Sequence, residues 1–487
     1  MLNALLWLPL AVGLLCFLVP ARSARAVPVL GALGALVLAI VLVADFQPDA
    51  AGLQHTVSES WIPDLGVRYE LGVDGISVFL ILLTTVLWSA ATLYSAFHPP
   101  ERPRTYFFML GLAETGVLGA FLAQDLLLFV LFFDLMLLPF YFLIGAWGGE
   151  NRIGATMKMM VYTLVGSLLM LVGAIATAIL VSDQTGELSF SLAYLGANVL
   201  SEGSQDWIFW FFAAAFLVKM PAFLVHGWMP DAYRAAPIPV VAVLSGVLSK
   251  VGAYGFLRVV LPVYPDATVQ FQDFLLVIAV AGIIYGGAMA FTQMNVRLVA
   301  GFSSLAQLAF ITLGIFSLRP DGADGSVLQM VNHGLVVAPT FLIIGVLAER
   351  AGTEDLREMG GLAFRAPILA AMFLIVTLAT LAMPGSANFI GEFYILIGTF
   401  QANIVYALIG SVGIAMAAFY AIRLYQRTMH NRLPAGVESR EISWRDGTVI
   451  APLVACIVAL ALYPGLILDR SDASVEQALH RDVLVIR

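Results

Sequence analysis

Charge is what this chain has least of. Only 11% of its 487 residues are Asp, Glu, Lys or Arg, while 61% are hydrophobic. A soluble helical protein of this size needs a polar face on every outer helix, and runs such as "ALLWLPLAVGLLCFLV" and "LLVIAVAGIIYGGAMAF" offer none. Cysteine is equally scarce. Cys16 and Cys456 stand alone in apolar runs, without the spacing of disulfide, zinc or iron–sulfur sites. No Walker loop occurs, and the glycines of "GALGALVLA" lie inside an apolar segment with no strand before them, so neither phosphate nor dinucleotide binding is supported. The net charge of −8 gives no footprint for nucleic acid. No basic region or small-residue cleavage site marks the first apolar run as a signal peptide, so it reads as a retained helix.

What is present is a series of segments long enough to cross a bilayer, near residues 3–20, 27–44, 75–97, 105–123, 125–147, 157–182, 207–226, 238–262, 274–293, 298–318, 327–348, 367–400, 403–425 and 448–468. The expected fold is an all-α polytopic membrane protein of about fourteen transmembrane helices. The twelfth segment contains "MPGSAN", so Pro384 and Gly385 should divide it into two half-helices, and Pro221 should do the same to the seventh. Basic residues alternate between loops. Arg22, Arg25, Arg102, Arg104, Arg152, Lys158, Arg234, Arg297, Arg350, Arg357, Arg365, Arg423, Arg427, Arg432, Arg440 and Arg445 fall on one side, whereas the other holds Arg68, Arg258, Arg319, Arg470, Arg481 and Arg487. The positive-inside rule then places both termini outside.

Against this background five ionisable residues fall well inside spans: Glu114, Asp134, Lys219, Lys250 and Glu392, with His333 nearby in the eleventh. Each costs about 2.5–3.5 kcal/mol to insert. The helical rise puts Asp134 roughly 14 Å, and Lys219 and Lys250 each roughly 18 Å, from the start of their spans, near the bilayer midplane. Burial favours a neutral lysine and a nearby carboxylate favours the ammonium, so a small movement between two such groups makes a proton switch. A static ion pair between helices is the simpler alternative for one pair. A succession of Lys, Lys, His and Glu on different helices fits a proton relay better. For Glu114 a hydrogen-bonded structural role and a functional one stand side by side. His226, beyond Pro221 at the inner rim of the seventh span, reads first as structural, with a proton-carrying role second. Ser303 and Ser304 read as packing residues.

These residues sit in motifs that resemble a known family. The run "KMPAFLVHGWMPDAYRAAPIPVVAVLSGVLSKVGAYGFLR" is similar to the central signature of the antiporter-like subunits of respiratory complex I, the proton-translocating NADH–quinone oxidoreductase, with their M branch nearest. The segments "LFFDLMLLPFYFLIGAWGG", "MVNHGLVVAPTFLIIGVLAER" and "MPGSANFIGEFYILIGTF" support this, and the resemblance covers about residues 72 to 427. It implies two inverted five-helix repeats with broken helices 7 and 12. Residues 1–104 would hold helices 1–3 and an outer loop, 105–262 the first repeat, 274–425 the second, and 426–487 the last helix and tail.

By the same resemblance Asp134 stands where the family has a glutamate paired with the lysine at 219. Lys250 matches the central lysine of the eighth helix, His333 the "HGL" histidine, and Glu392 the acidic residue of the second broken helix. Two departures stand out. Asp134 is one methylene shorter than glutamate, and Gln307 takes the place of a family histidine and cannot titrate. The implied function is proton translocation coupled to quinone reduction elsewhere, as a non-redox subunit of an enzyme complex. NADH, FMN, iron–sulfur clusters and quinone would belong to partner subunits, and no cofactor or metal to this chain. The implied partners are subunits L and N and the lipid bilayer, in a bacterial inner membrane. The alternatives are a subunit of an Mrp-type cation/proton antiporter or of a membrane-bound hydrogenase, and a passive scaffold needed only for assembly.

Overall fold

The computed structural model describes residues 1–20, 25–48, 52–434, 437 and 439–479; Arg22, Arg481 and Arg487 of the basic-residue pattern lie outside them. Where a segment lies in hydrocarbon, every backbone donor and acceptor must be satisfied within the protein, and long helices result. Among the described residues eleven helices are long and apolar enough to cross a membrane. In chain order the helices are α1 Leu2–Leu18, α2 Ala26–Asp45, α3 Ser77–Phe97, α4 Pro103–Leu122, α5 Leu126–Leu135, α6 Leu137–Trp147, α7 Arg152–Thr185, α8 Leu192–Ala197, α9 Glu202–Lys219 and α10 Met229–Ala235. They continue with α11 Ile238–Val263, α12 Pro265–Gln270, α13 Gln272–Thr292, α14 Val296–Ile315, α15 Pro320–Ala351, α16 Pro367–Thr380, α17 Ala387–Ala402, α18 Ile404–Met429, α19 Trp444–Leu462 and α20 Gly465–Leu479. The apolar helices α1 and α16 are shorter than a full crossing. Helices α11, α14 and α15 are enclosed along their apolar lengths, whereas α2 and α18 turn apolar side chains outward.

Several helices are interrupted, each for a legible reason. Helix α9 ends at Lys219, seven residues before the end of the expected span, because Pro221 has no N–H to give the Leu217 carbonyl. Ala222 N–H takes that carbonyl instead at 2.9 Å, and the chain runs irregularly to α10, passing Leu224 at φ 78°. The Val218 carbonyl, left over by this shift, accepts from the Trp228 indole N–H at 2.9 Å. Residues 381–386, containing Pro384 and Gly385 (φ 93°), separate α16 from α17. Two further irregularities were not expected: a single-residue step at Met136 between α5 and α6, and two π-helical turns inside α11, Leu244–Leu248 and Phe256–Val260.

The expected outer loop around 45–74 contains an antiparallel hairpin of β1 Gln54–Ile62 and β2 Val67–Val73. The last expected span ends at Leu462, and the chain continues as α20, whose Ser474 hydroxyl accepts from Gly75 N–H at 2.9 Å and whose Ser471 donates to Asp324 Oδ1 at 3.1 Å. At this end Arg258 pairs with Asp74 at 3.2 Å and donates to Gln124. At the opposite end the Glu441 carboxylate accepts from the backbone N–H groups of Ile368 (2.9 Å) and Leu369 (3.1 Å), closing the start of α16.

Candidate functional site

Lys219 is the last residue of α9 and only 2% exposed. Its ammonium has no hydrogen-bond partner among the described residues and lies 4.6 Å from the centre of the Phe133 ring. Asp134, next to Phe133, is half-buried with the Ser167 hydroxyl beside its carboxyl. Its Oδ1 has no hydrogen-bond partner, and it acts on Lys219 through space. The aspartate, expected to reach Lys219 only by backbone position or a water, makes no direct ion pair with it, and an aromatic face stands against the cation. Helix α11 packs directly on this end of α9. A Cβ at Gly252 would stand 2.6 Å from the Phe216 carbonyl oxygen, so only glycine allows the approach.

Lys250 is fully buried, just after the first π turn of α11. The widened turn presents the Ser245 carbonyl to side chains: it accepts from Lys250 Nζ at 2.6 Å and from Ser249 Oγ at 2.9 Å. The Ser245 hydroxyl bonds that of Ser304 on α14 at 2.9 Å, and Ser303 donates to the Tyr420 hydroxyl at 3.0 Å. Ser303 and Ser304 thus tie α14 to α18 and α11 by side-chain hydrogen bonds, where packing was expected ahead of bonds to backbone or water. His333 on α15 lies within electrostatic reach of Lys250.

Beyond Lys250 three buried side chains form a directed series. Gln329 donates from Nε2 to Gln307 Oε1, and Gln307 donates from Nε2 to Glu392 Oε1, both at 2.7 Å. Alongside is a cavity of about 30 Å³ lined by Ser303, Gln307, His333, Thr377, Asn388 and Tyr420 among others. That space suits about two waters. His333 Nδ1 and both amide atoms of Asn388 are buried there without a protein partner.

Two expected residues stand apart from this row. Glu114 is 3% exposed and lines a small cavity with Pro9, Pro28 and Thr92 where α1, α2, α3 and α4 meet. His226 lies in the irregular segment after α9, with Nε2 3.1 Å from the Tyr285 hydroxyl. Gln329 and Asn388 were not singled out from the sequence. Their signal was spacing: Ser303/Gln307, Gln329/His333 and Asn388/Glu392 are each four residues apart, a polar pair on one face of an otherwise apolar helix.

The fold and this row define a class: a polytopic membrane protein whose interior carries ionisable and amide side chains from successive helices. The chain belongs to the NADH:quinone oxidoreductase/Mrp antiporter transmembrane family, whose sequence model matches residues 123–417. It is 36% identical to "NADH-quinone oxidoreductase subunit M" of Rhodobacter capsulatus, over 99% of this chain and 98% of that one. It is 32% identical to "NADH-ubiquinone oxidoreductase chain 4" of Marchantia polymorpha, over 97% and 96%. A chain of respiratory complex I from Thermus thermophilus with bound NADH superposes with a TM-score of 0.89 at 30% identity, covering 98% of this chain and 99% of that one. A chain of the Mrp complex from Dietzia sp. shares the fold, with a TM-score of 0.85 at 20% identity over 99% and 98%.

Proposed function

We propose that this chain is a proton-translocating membrane-arm subunit of an NADH–quinone oxidoreductase, moving protons through a buried Lys/Glu/His relay while quinone is reduced in other subunits. The observation that carries the reading is Lys219: a buried ammonium at the end of a broken helix, with no anion in contact and a carboxyl close enough to act on it. Such a cation is poised rather than locked, and movement of Asp134 or of the α9 end alters its hold on the proton. Lys219 exchanges its proton with Lys250. The proton then passes by His333 and cavity water to Glu392, since Gln307 cannot titrate. Glu114 and His226 are secondary candidates.

In the same reading the helices make fourteen spans, with inverted repeats at 105–262 and 274–425. Both termini face outward from a bacterial inner membrane. Subunits L and N are the neighbours, and NADH, FMN, iron–sulfur clusters and quinone are bound by partner subunits, with no redox centre in this chain. Replacing Lys219 by Ala tests the reading in the assembled complex. Proton pumping should be lost or sharply reduced; a wild-type proton-to-electron ratio would refute the role.

A further inference from the structure

Three helices meet around Glu392, and while its carboxyl is ionised the amides between them have one consistent orientation. A carboxylate oxygen accepts and does not donate, so Gln307 must turn its NH2 towards Glu392 Oε1. That turn directs the Gln307 carbonyl at Gln329, whose NH2 fills it. Gln307, Gln329 and Glu392 are 1%, 0% and 1% exposed, so no bulk water competes for these positions. Gln329 packs closely on Gly391, where a Cβ would stand 2.4 Å from Gln329 Oε1, an oxygen with no hydrogen-bond partner among the described residues. Glu392 Oε2, by contrast, is buried and has no hydrogen-bond partner among the described residues. A primary amide passes a proton along its bonds only through the imidic acid, a form too unstable to serve as a relay.

We propose that Gln329 and Gln307 form an amide clamp that holds Glu392 Oε1 as a fixed acceptor and leaves Oε2 as the atom through which this carboxyl gains and loses its proton. Gln307 and Gln329 are then positioning residues and not carriers. The inference rests on Glu392 being a proton carrier, as proposed above. A proton moving along α14 from the Ser303–Ser304 pair meets a closed amide at 307 and has to pass it by the water of the adjoining cavity. The clamp also explains how Gln serves at 307: with Gln329 orienting it, its N–H always faces the carboxyl, whereas a free amide would present either end.

Infrared difference spectra of the intact complex test this, with the Glu392 carboxyl band identified as the one lost in Glu392→Gln. Gln307→Met removes the N–H from the carbonyl oxygen with little change in volume and should move the band to higher wavenumber. Gln329→Met should produce the same shift, because the unheld amide at 307 no longer presents its N–H. The double variant should add nothing further, and the proton-to-electron ratio should fall equally in all three. In a Gln307→His background, where an imidazole N–H replaces the amide, Gln329→Met should shift the band less than it does alone, a comparison that serves if Gln307→Met assembles poorly. An unshifted band in Gln329→Met beside a shifted one in Gln307→Met, or shifts that simply add, would overturn the clamp. A normal proton-to-electron ratio in Glu392→Gln would instead remove the carrier role, while the band positions still report on the clamp by themselves.

Discussion

The Lys219 ammonium stands over the face of Phe133, 4.6 Å from the ring centre, while the carboxyl of Asp134, one residue further on, makes no ion pair with it. The cation thus has an aromatic face against it and a carboxylate acting from beyond ion-pair distance. Both stabilise the cation, and neither seizes it.

The ring contributes on the order of 2 kcal/mol when the cation is desolvated. Phe133→Leu removes that attraction while keeping an apolar side chain, and should lower NADH-driven proton uptake into vesicles. Phe133→Trp, which keeps a π face, should retain it. Equal rates in the Leu variant and the parent would show the ring to be packing only.

Asp134→Asn withdraws the one carboxylate acting on Lys219, a coupling smaller than the roughly 4 kcal/mol of two charges at 4 Å and an effective dielectric of 20. Pumping should fall at least about tenfold, the equivalent of about 1.4 kcal/mol. Asp134→Glu, one methylene longer, should close the gap and keep the activity. Vesicle acidification at matched NADH oxidation distinguishes the two.

Gly252→Ala places a methyl group 2.6 Å from the Phe216 carbonyl oxygen, in a backbone-to-backbone contact with nothing flexible to yield. Overpacking of this kind costs about 1–3 kcal/mol. The purified complex should melt at a lower temperature, and the Lys219–Lys250 exchange should weaken with it. An unchanged melting temperature would mean that the two helices separate freely.

At the basic end, Glu441 closes the α16 start. Burial opposes ionisation of its carboxyl, but the N–H groups of Ile368, Ile442 and Leu369, with Arg350 nearby, outweigh it and hold the group below the ordinary glutamate range. A lowered folded value means that this contribution is present above the unfolded value near 4.3 and is lost as pH falls through the folded one. Glu441→Ala should therefore loosen residues 439–443 and the start of α16 at neutral pH, by about 1 kcal/mol for a lost cap. The difference from the parent should vanish in strong acid. Limited proteolysis of that segment across pH measures it.

Much of this architecture is legible in the sequence because its signals are costly ones. A lysine inside an apolar run, or a proline in one, has to be accommodated: Lys219, Lys250 and Glu392 are buried, and the helices break after 219 and around 384. The cheaper signals were passed over. Gln329 and Asn388 are uncharged, and only their four-residue spacing to His333 and Glu392 marks them. The π turn at Leu244–Leu248 has no proline to announce it, since one extra residue in a turn is a matter of hydrogen-bond register. The distance from Asp134 to Lys219 depends on how α5 and α9 pack, which the composition of neither helix contains.

The Trp228 indole bond to the Val218 carbonyl has a mechanical consequence. It bridges the irregular segment after α9, so α10 is fastened to the backbone one residue before Lys219. On the far side α10 is held to α7 by the 2.8 Å Asp231–Lys158 contact at the basic rim. The two contacts join the rim to the backbone beside Lys219 through α10, bypassing the irregular segment between the helices.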